Sequence, residues 1–350
     1  MPPKKPAMGR IEIRDIRPRT PTGHPAKGSV GEHVVVSADV LRDGHDQVAA
    51  RVRWRPAGGD ADWQSSPLIL GNNDRYEGSF VPTKVGPHEV VVDGWTDRFG
   101  TWRHHTEARA AVESADLPVE LLVGAEILEE LAPHVPDEHR SRVEETASIL
   151  RNERFSLRTK LDAGLDEHLA ELLATVADPG DLTTRPTPGI WVDREKARFS
   201  AWYELFPRSE GGFAGAAKRL RAIAEMGFDV VYLPPIHPIG VTHRKGRDNT
   251  LTPEPGDPGS PWAIGGAEGG HDAIHPELGT LDDFVAFREE AESLGMEVAL
   301  DYALQCSPDH PWVRDHPEWF RQRPDGSIRY AENPPKKYED IVNPDFGSDD

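Results

Sequence analysis

Two stretches of this chain follow one pattern, in which a helix, a glycine, an apolar residue and an acid lead into a short apolar strand. Phe213 to Met226 is alanine-rich and helical, Gly227 ends it, and Phe228-Asp229-Val230-Val231-Tyr232-Leu233 continues as a strand. In the second copy Thr280 and Asp283 form a helix-start signature, and Phe284, Phe287, Ala291 and Leu294 follow at helical spacing. Gly295 stops that helix, and Met296-Glu297-Val298-Ala299-Leu300-Asp301 matches the first strand position for position. A further strand, Arg198 to Phe206, precedes the first helix, so the order is strand, helix, strand, loop, helix, strand. That order predicts a parallel sheet of the (β/α) barrel kind, whose chemistry gathers at the C-terminal ends of its strands.

An acid at the end of an otherwise apolar buried strand needs a strong hydrogen-bonding partner or a ligand. Asp301 is therefore the first site candidate, and a structural aspartate that holds the next loop is the competing reading. The proline- and glycine-rich loop from Pro234 to His271 is longer than a connection requires, and long loops after strands are where such folds build binding sites.

Upstream the texture changes twice. Ile11–Ile13, His33–Val40, Ala49–Trp54, Tyr76–Phe80 and His88–Trp95 read as short strands separated by turn residues, which predicts an antiparallel β-sandwich of immunoglobulin-like kind over 1–112. Trp54, Trp63, Trp95 and Trp102 could stack on sugars, although tryptophans in sandwiches more often fill the core. Residues 113–185 read as a helical insert and linker. Val119, Leu122, Ile127, Leu128 and Leu131 mark one helix, Val143, Ala147 and Leu150 a second, and Leu165, Leu169, Leu172, Leu173 and Val176 a third. Asp178 to Gly189 is the expected linker into a barrel part over 186–350.

At 350 residues the chain is long enough for two or three domains. Its net charge of −20 disfavours nucleic acid and anionic membranes as partners, so a phosphorylated ligand would need local cations. Cys306 is the only cysteine, which excludes an intrachain disulfide framework. His271, His275 and His310 lack short ligand spacing, so no metal and no cofactor is expected. No apolar run reaches a membrane span, and Met1–Lys5 is not followed by a signal-peptide core, so a cytoplasmic protein is the simplest reading.

Residues 197–312 resemble the first three strands of the catalytic barrel of the α-amylase superfamily, glycoside hydrolase family 13. His275-Pro276-Glu277-Leu278-Gly279-Thr280 with Asp283-Phe284 is similar to that family's approach to the third strand. Asp301-Tyr302-Ala303-Leu304-Gln305-Cys306 stands where most members read Asp-Val-Val-x-Asn-His, so Gln305 and Cys306 replace the Asn and the sugar-touching His. With Lys245-Gly246-Arg247-Asp248-Asn249, Ser307-Pro308-Asp309-His310-Pro311-Trp312 and Asn333-Pro334-Pro335-Lys336-Lys337-Tyr338, the chain resembles the maltosyltransferases that extend α-1,4-glucan from maltose 1-phosphate. The similarity runs over essentially the whole chain.

The resemblance implies a donor pocket. In it Lys245 would contact the donor sugar, Gln305 the sugar at the cleavage point, Asn333, Lys336 and Tyr338 the phosphate, and Asp340 a further part of the substrate, with Asp301 and His310 supporting. Ammonium and amide donors stabilise a phosphate leaving group without protonating it fully. From the residues alone, Lys245 and Lys336-Lys337 are equally readable as solvated loop charges. Retaining transfer needs two carboxylates about 5 Å apart. By resemblance these lie at the ends of the fourth and fifth strands, so none is expected within this chain, Asp349 and Asp350 included, and 1–350 alone is expected to be inactive. The resemblance also implies a homodimer to which the first two regions contribute. The alternatives are an amylase-type hydrolase or trehalose-forming isomerase of the same superfamily, and a non-catalytic glucan-binding or dimerising module.

Overall fold

A computed structural model describes residues 10–177 and 180–347. Readings that fall on Met1–Lys5, Asp178, Pro179, Asp349 and Asp350 lie outside the described residues. The chain divides into two compact units, Met1–Arg198 and Phe199–Asp350.

The first unit opens with β1 (Ile11–Arg17), β2 (Ala26–Ser29), β3 (Val34–Arg42), β4 (Val48–Pro56), β5 (Gln64–Leu70), β6 (Arg75–Phe80) and β7 (Gly86–Thr96). Five helices follow, α1 (Arg98–Ala111), α2 (Leu117–Leu131), α3 (Asp137–Arg151), α4 (Leu157–Gly164) and α5 (Glu167–Leu173). The chain then returns to the sheet as β8 (Thr183–Pro186), which pairs with β7, and β9 (Ile190–Asp193), which lies between β7 and β2. Antiparallel pairing runs from β1 through β3, β6, β5 and β4 to β7, and β2 and β9 are parallel. Val36, Ala38 and Val40 of β3 alternate with outward residues and meet Val52 and Trp54 of β4 in one core. A second core joins the helices through residues such as Trp102, Leu121, Val143 and Leu169.

Three expectations change here. The helices begin at Arg98 rather than after 112, because Asp97 caps α1 by accepting from the Gly100 N–H at 2.7 Å. The stretch expected as linker contains β8, with β9 directly after it, and the units divide after Arg198 rather than at 185, because β8 pairs with β7 and β9 is inserted between β7 and β2. The tryptophans do not make a sugar platform. Trp54, Trp95 and Trp102 are buried, and the ring of Trp63 is covered by the guanidinium groups of Arg53 and Arg55, 5.1 and 4.6 Å from its centroid.

The second unit contains β10 (Trp202–Glu204), α6 (Phe213–Glu225), β11 (Val230–Leu233), α7 (Leu281–Ser293), β12 (Glu297–Leu300), α8 (Pro311–Asp315) and a hairpin of β13 (Tyr330–Asn333) and β14 (Lys336–Val342). β10, β11 and β12 form a parallel sheet in that order. Phe213, Leu220 and Ile223 of α6 and Phe287 and Ala291 of α7 pack with Val231 and Leu233 of β11 in one core. Gly227 and Gly295 take φ of +89° and +76°, the left-handed turn that ends each helix and leads into its strand. Thr280 and Asp283 form a capping box at the start of α7, each accepting from the other's backbone N–H. Asp229 ties β11 to its neighbour by accepting from the Ala201 N–H at 2.8 Å.

Candidate functional site

The C-terminal ends of β11 and β12 present Tyr232 and Asp301 side by side. The Asp301 N–H donates to the Leu233 carbonyl at 2.9 Å, and its Oδ2 accepts from the Trp262 indole N–H at 2.7 Å. Burial, followed by the hydrogen bond to Asp301 and its charge, pushes the Tyr232 phenol up to about 12. The carboxylate at the strand end thus has the Trp262 indole as its side-chain donor and the Tyr232 phenol beside it. Trp262, from the long loop after β11, also packs beside Ile239, Ala263 and Ile341.

That loop is held from several directions. Asp309 accepts from the Val241 and Thr242 N–H groups, both at 2.7 Å, and from the Thr242 hydroxyl at 2.6 Å. Burial alone would raise the Asp309 pKa, but these hydrogen bonds bring it below the usual carboxylate range. Arg244 donates inward to the Gly240 and Ile239 carbonyls at 2.8 and 2.9 Å. Ser307 donates to the Gly265 carbonyl at 2.5 Å. The next residue after Arg244 is Lys245, and it is only 6% exposed.

Lys245 has a buried counterpart in Asp340 of β14, which is 3% exposed. Burial pushes the Asp340 carboxyl up, while its own backbone N–H, the Lys245 ammonium and His243 oppose the rise. Asp340 Oδ1 has no hydrogen-bond partner, and among the described residues Lys245 forms no ion pair within 4 Å. A buried carboxylate oxygen left without a partner near a buried lysine is a polar demand that the fold does not itself satisfy.

Gln305 is half-buried one residue before Cys306, which pairs with Val342 of β14 through N–H···O bonds of 2.9 and 2.7 Å. Cys306 itself is fully buried with Phe320 and Val342, and burial pushes its thiol up to about 12. Where the resemblance puts a sugar-touching histidine, this chain has a core contact. Tyr338 is half-buried and packs, as Trp262 does, against the small core of Ile239, Ala263 and Ile341. Asn333 and Lys336 face each other across the Pro334–Pro335 turn at the exposed tip of the hairpin. The structure therefore brings Asp301, Trp262 and Tyr338 into one cluster and Lys245 and Asp340 into mutual electrostatic reach, while Asn333 and Lys336 stand in solvent.

Sequence spacing also missed a cluster. Ligand atoms of His271, Cys306 and His310 lie within 4.8 Å of one another, although the residues come from different loops. Their nitrogens are occupied: the Trp312 N–H donates to His310 Nδ1 at 3.1 Å, His310 Nε2 lies 3.0 Å from His271 Nδ1, and His271 Nε2 lies 2.8 Å from the Ala303 carbonyl. Burial, with the neighbouring His271, pushes His310 down to about 4. All four ring nitrogens are thus engaged within the protein, with the Cys306 thiol beside them. Trp262, Tyr232, His271 and Asp309 carried no local signal, because their partners are distant in sequence. Among the described residues, no helix is long and apolar enough to cross a membrane.

Residues 9–194 match the family described as Alpha-1,4-glucan:maltose-1-phosphate maltosyltransferase, domain N/S. Proteins named as such maltosyltransferases are similar over nearly the whole chain. That of Mycolicibacterium smegmatis is 46% identical over 97% of this chain and 55% of its own length. One from Streptomyces coelicolor is 48% identical over 98% and 52%, and that of Myxococcus xanthus is 45% identical over 97% and 53%. The chain spans about half the length of these curated relatives. A solved α-amylase from Lactobacillus plantarum shows 36% identity over 43% of this chain and 32% of its own, at a TM-score of 0.36, too low to bear on the fold. On the family match and these relatives, the chain belongs to the α-1,4-glucan:maltose-1-phosphate maltosyltransferase family.

Proposed function

We propose that the protein transfers maltosyl units from α-maltose 1-phosphate to the non-reducing end of α-1,4-glucans, with retention and release of phosphate, and so contributes to glycogen or α-glucan synthesis. The names of the relatives support this reading. The observation that carries it to particular residues is the buried, mutually unpaired Lys245 and Asp340 beside the strand-end cluster of Asp301, Trp262 and Tyr338. Lys245, Asp340 and Gln305 bind the donor sugars in this reading, and Asp301 and Trp262 hold the floor beneath them. Asn333 and Lys336 are proposed phosphate contacts, and their place at an exposed hairpin tip means they reach the phosphate only when the donor extends to the tip. The β-rich region is proposed as an immunoglobulin-like sandwich with a helical insert. A homodimer is part of the reading, supported by Val119, Leu122 and Val123, an apolar stripe on the exposed face of α2. A cytoplasmic setting follows from the donor, since a charged sugar phosphate does not cross membranes unaided.

The test is phosphate release by the full-length protein with α-maltose 1-phosphate and glycogen, compared with hydrolysis of starch. Release that depends on glycogen is expected, and starch hydrolysis without it would favour the amylase-type alternative. Lys245→Met removes a buried charge-assisted donor, so kcat/KM for the donor is expected to fall on the order of a hundredfold, corresponding to about 3 kcal/mol. A Lys336→Ala variant that loses donor use while its affinity for neutral maltooligosaccharides is unchanged supports the phosphate role. Equal effects on both ligands remove Lys336 from the site.

A further inference from the structure

The chain of hydrogen bonds through His271 and His310 has a direction that its ends impose. The Trp312 N–H can only donate, so His310 Nδ1, 3.1 Å away, accepts. A neutral His310 then carries its proton on Nε2 and donates it to His271 Nδ1 at 3.0 Å. His271 in turn carries its proton on Nε2 and donates to the Ala303 carbonyl, which can only accept, at 2.8 Å. Every donor meets an acceptor, and neither ring has a second arrangement that satisfies both ends.

The surroundings fit these two rings closely. The His271 ring stacks on the Trp312 indole with centroids 5.0 Å apart and planes 10° apart. Gly270 and Gly265 press on His310, and a Cβ at either would come within 2.4 Å of the ring. Gly265 also holds φ at +106° and receives the Ser307 hydroxyl. Ala303 lies midway between Asp301 and Gln305, on the segment that leaves β12.

We propose that His271 and His310 are positioning residues: as a neutral pair of fixed direction they hold the Ala303 carbonyl, and so set where the segment leaving β12 presents Asp301 and Gln305. This inference rests on the reading of that segment as part of the donor pocket. In this reading they act through the backbone between Asp301, which holds the floor of the donor pocket, and Gln305, which binds its sugars. The segment lacks regular pairing from Tyr302 to Gln305, which makes the carbonyl anchor a determinant of its path.

Three measurements test it. Side-chain 15N spectra of the full-length protein near neutral pH are expected to show both rings neutral with the proton on Nε2, and a proton on Nδ1 of either ring overturns the relay. In kinetics with α-maltose 1-phosphate, His271→Ala is expected to lower kcat about tenfold or more with the KM for glucan changed less than about twofold, and His271→Gln, which can still donate to Ala303, recovers most of the rate. A folded His271→Ala protein with parental kcat overturns the positioning role. Hydrogen exchange separates this proposal from the functional one. The Asp301 and Cys306 amides, which donate to Leu233 and Val342 at 2.9 Å, are expected to exchange faster in His271→Ala and near the parental rate in His271→Gln. If the parent protein transfers no maltosyl unit, the functional reading fails while the exchange result still decides the relay, and unchanged exchange in His271→Ala overturns it.

Discussion

Asp309 is the residue on which the course of the Lys245 loop depends. Its Oδ2 receives two backbone N–H groups at once and its Oδ1 a hydroxyl, so one carboxylate sets the path of Val241 and Thr242, four and three residues before Lys245. Asp309→Asn keeps the size but replaces one acceptor oxygen by a donor. A cost of about 1–3 kcal/mol in urea unfolding is expected, with the KM for the donor rising more than that for the glucan. Gln305→Asn is a gentler change. It shortens the amide reach by one methylene, and a loss of phosphate-dependent transfer of about tenfold is expected from kinetics. Cys306→His is a different matter, although the sequence pairs the two positions. The thiol is enclosed by Phe320 and Val342, so an imidazole there overpacks the core, and a loss of about 1–3 kcal/mol of stability is expected before any effect on specificity.

At the scale of elements, what could be read in the sequence was what neighbours in sequence enforce. The capping box of Thr280 and Asp283, the turns at Gly227 and Gly295 and the alternation in β3 and β4 involve residues a few positions apart. Thr280→Ala removes the first of these, and a loss of about 1 kcal/mol in unfolding free energy is expected from denaturant titration. What escaped was set by tertiary packing. β5 reads Gln-Ser-Ser-Pro-Leu-Ile-Leu with a proline in it, and β2, β8 and β9 have four residues each, too few for a period to register. α1 escaped because Gly100 and a run of polar residues dilute its apolar face, even though Asp97 was available as a cap. The candidate site divides the same way: Asp301 announced itself as an acid in an apolar strand, but its partners Trp262 and Tyr232 lie 39 and 69 positions away, and no local pattern encodes such a distance.

For the molecule as a whole, acid sensitivity has one source that can be singled out. His310 is held neutral with a pKa of about 4, against an ordinary value near 6.5. Between those values the unfolded chain binds a proton that the folded chain refuses. The contribution of His310 is therefore fully present above about pH 6.5 and is lost progressively as pH falls toward 4. Urea midpoints measured from about pH 7 down to about pH 4.5 are expected to decline, and His310→Gln, less stable at neutral pH, is expected to decline less steeply. Dilute samples are needed, because the sequence pI of 5.2 lies in this window and the net charge that keeps molecules apart vanishes there. The sheet of the first unit carries a consequence for how the protein is made. β2 takes its parallel partner β9 from about 160 residues further along the chain, after all five helices. At roughly 5–20 residues per second of synthesis, the edge at Ala26–Ser29 waits on the order of ten seconds outside the ribosome before Ile190–Asp193 emerges to cover it. During that interval the nascent chain presents an open strand edge, and a chaperone that shields such edges has its opportunity then.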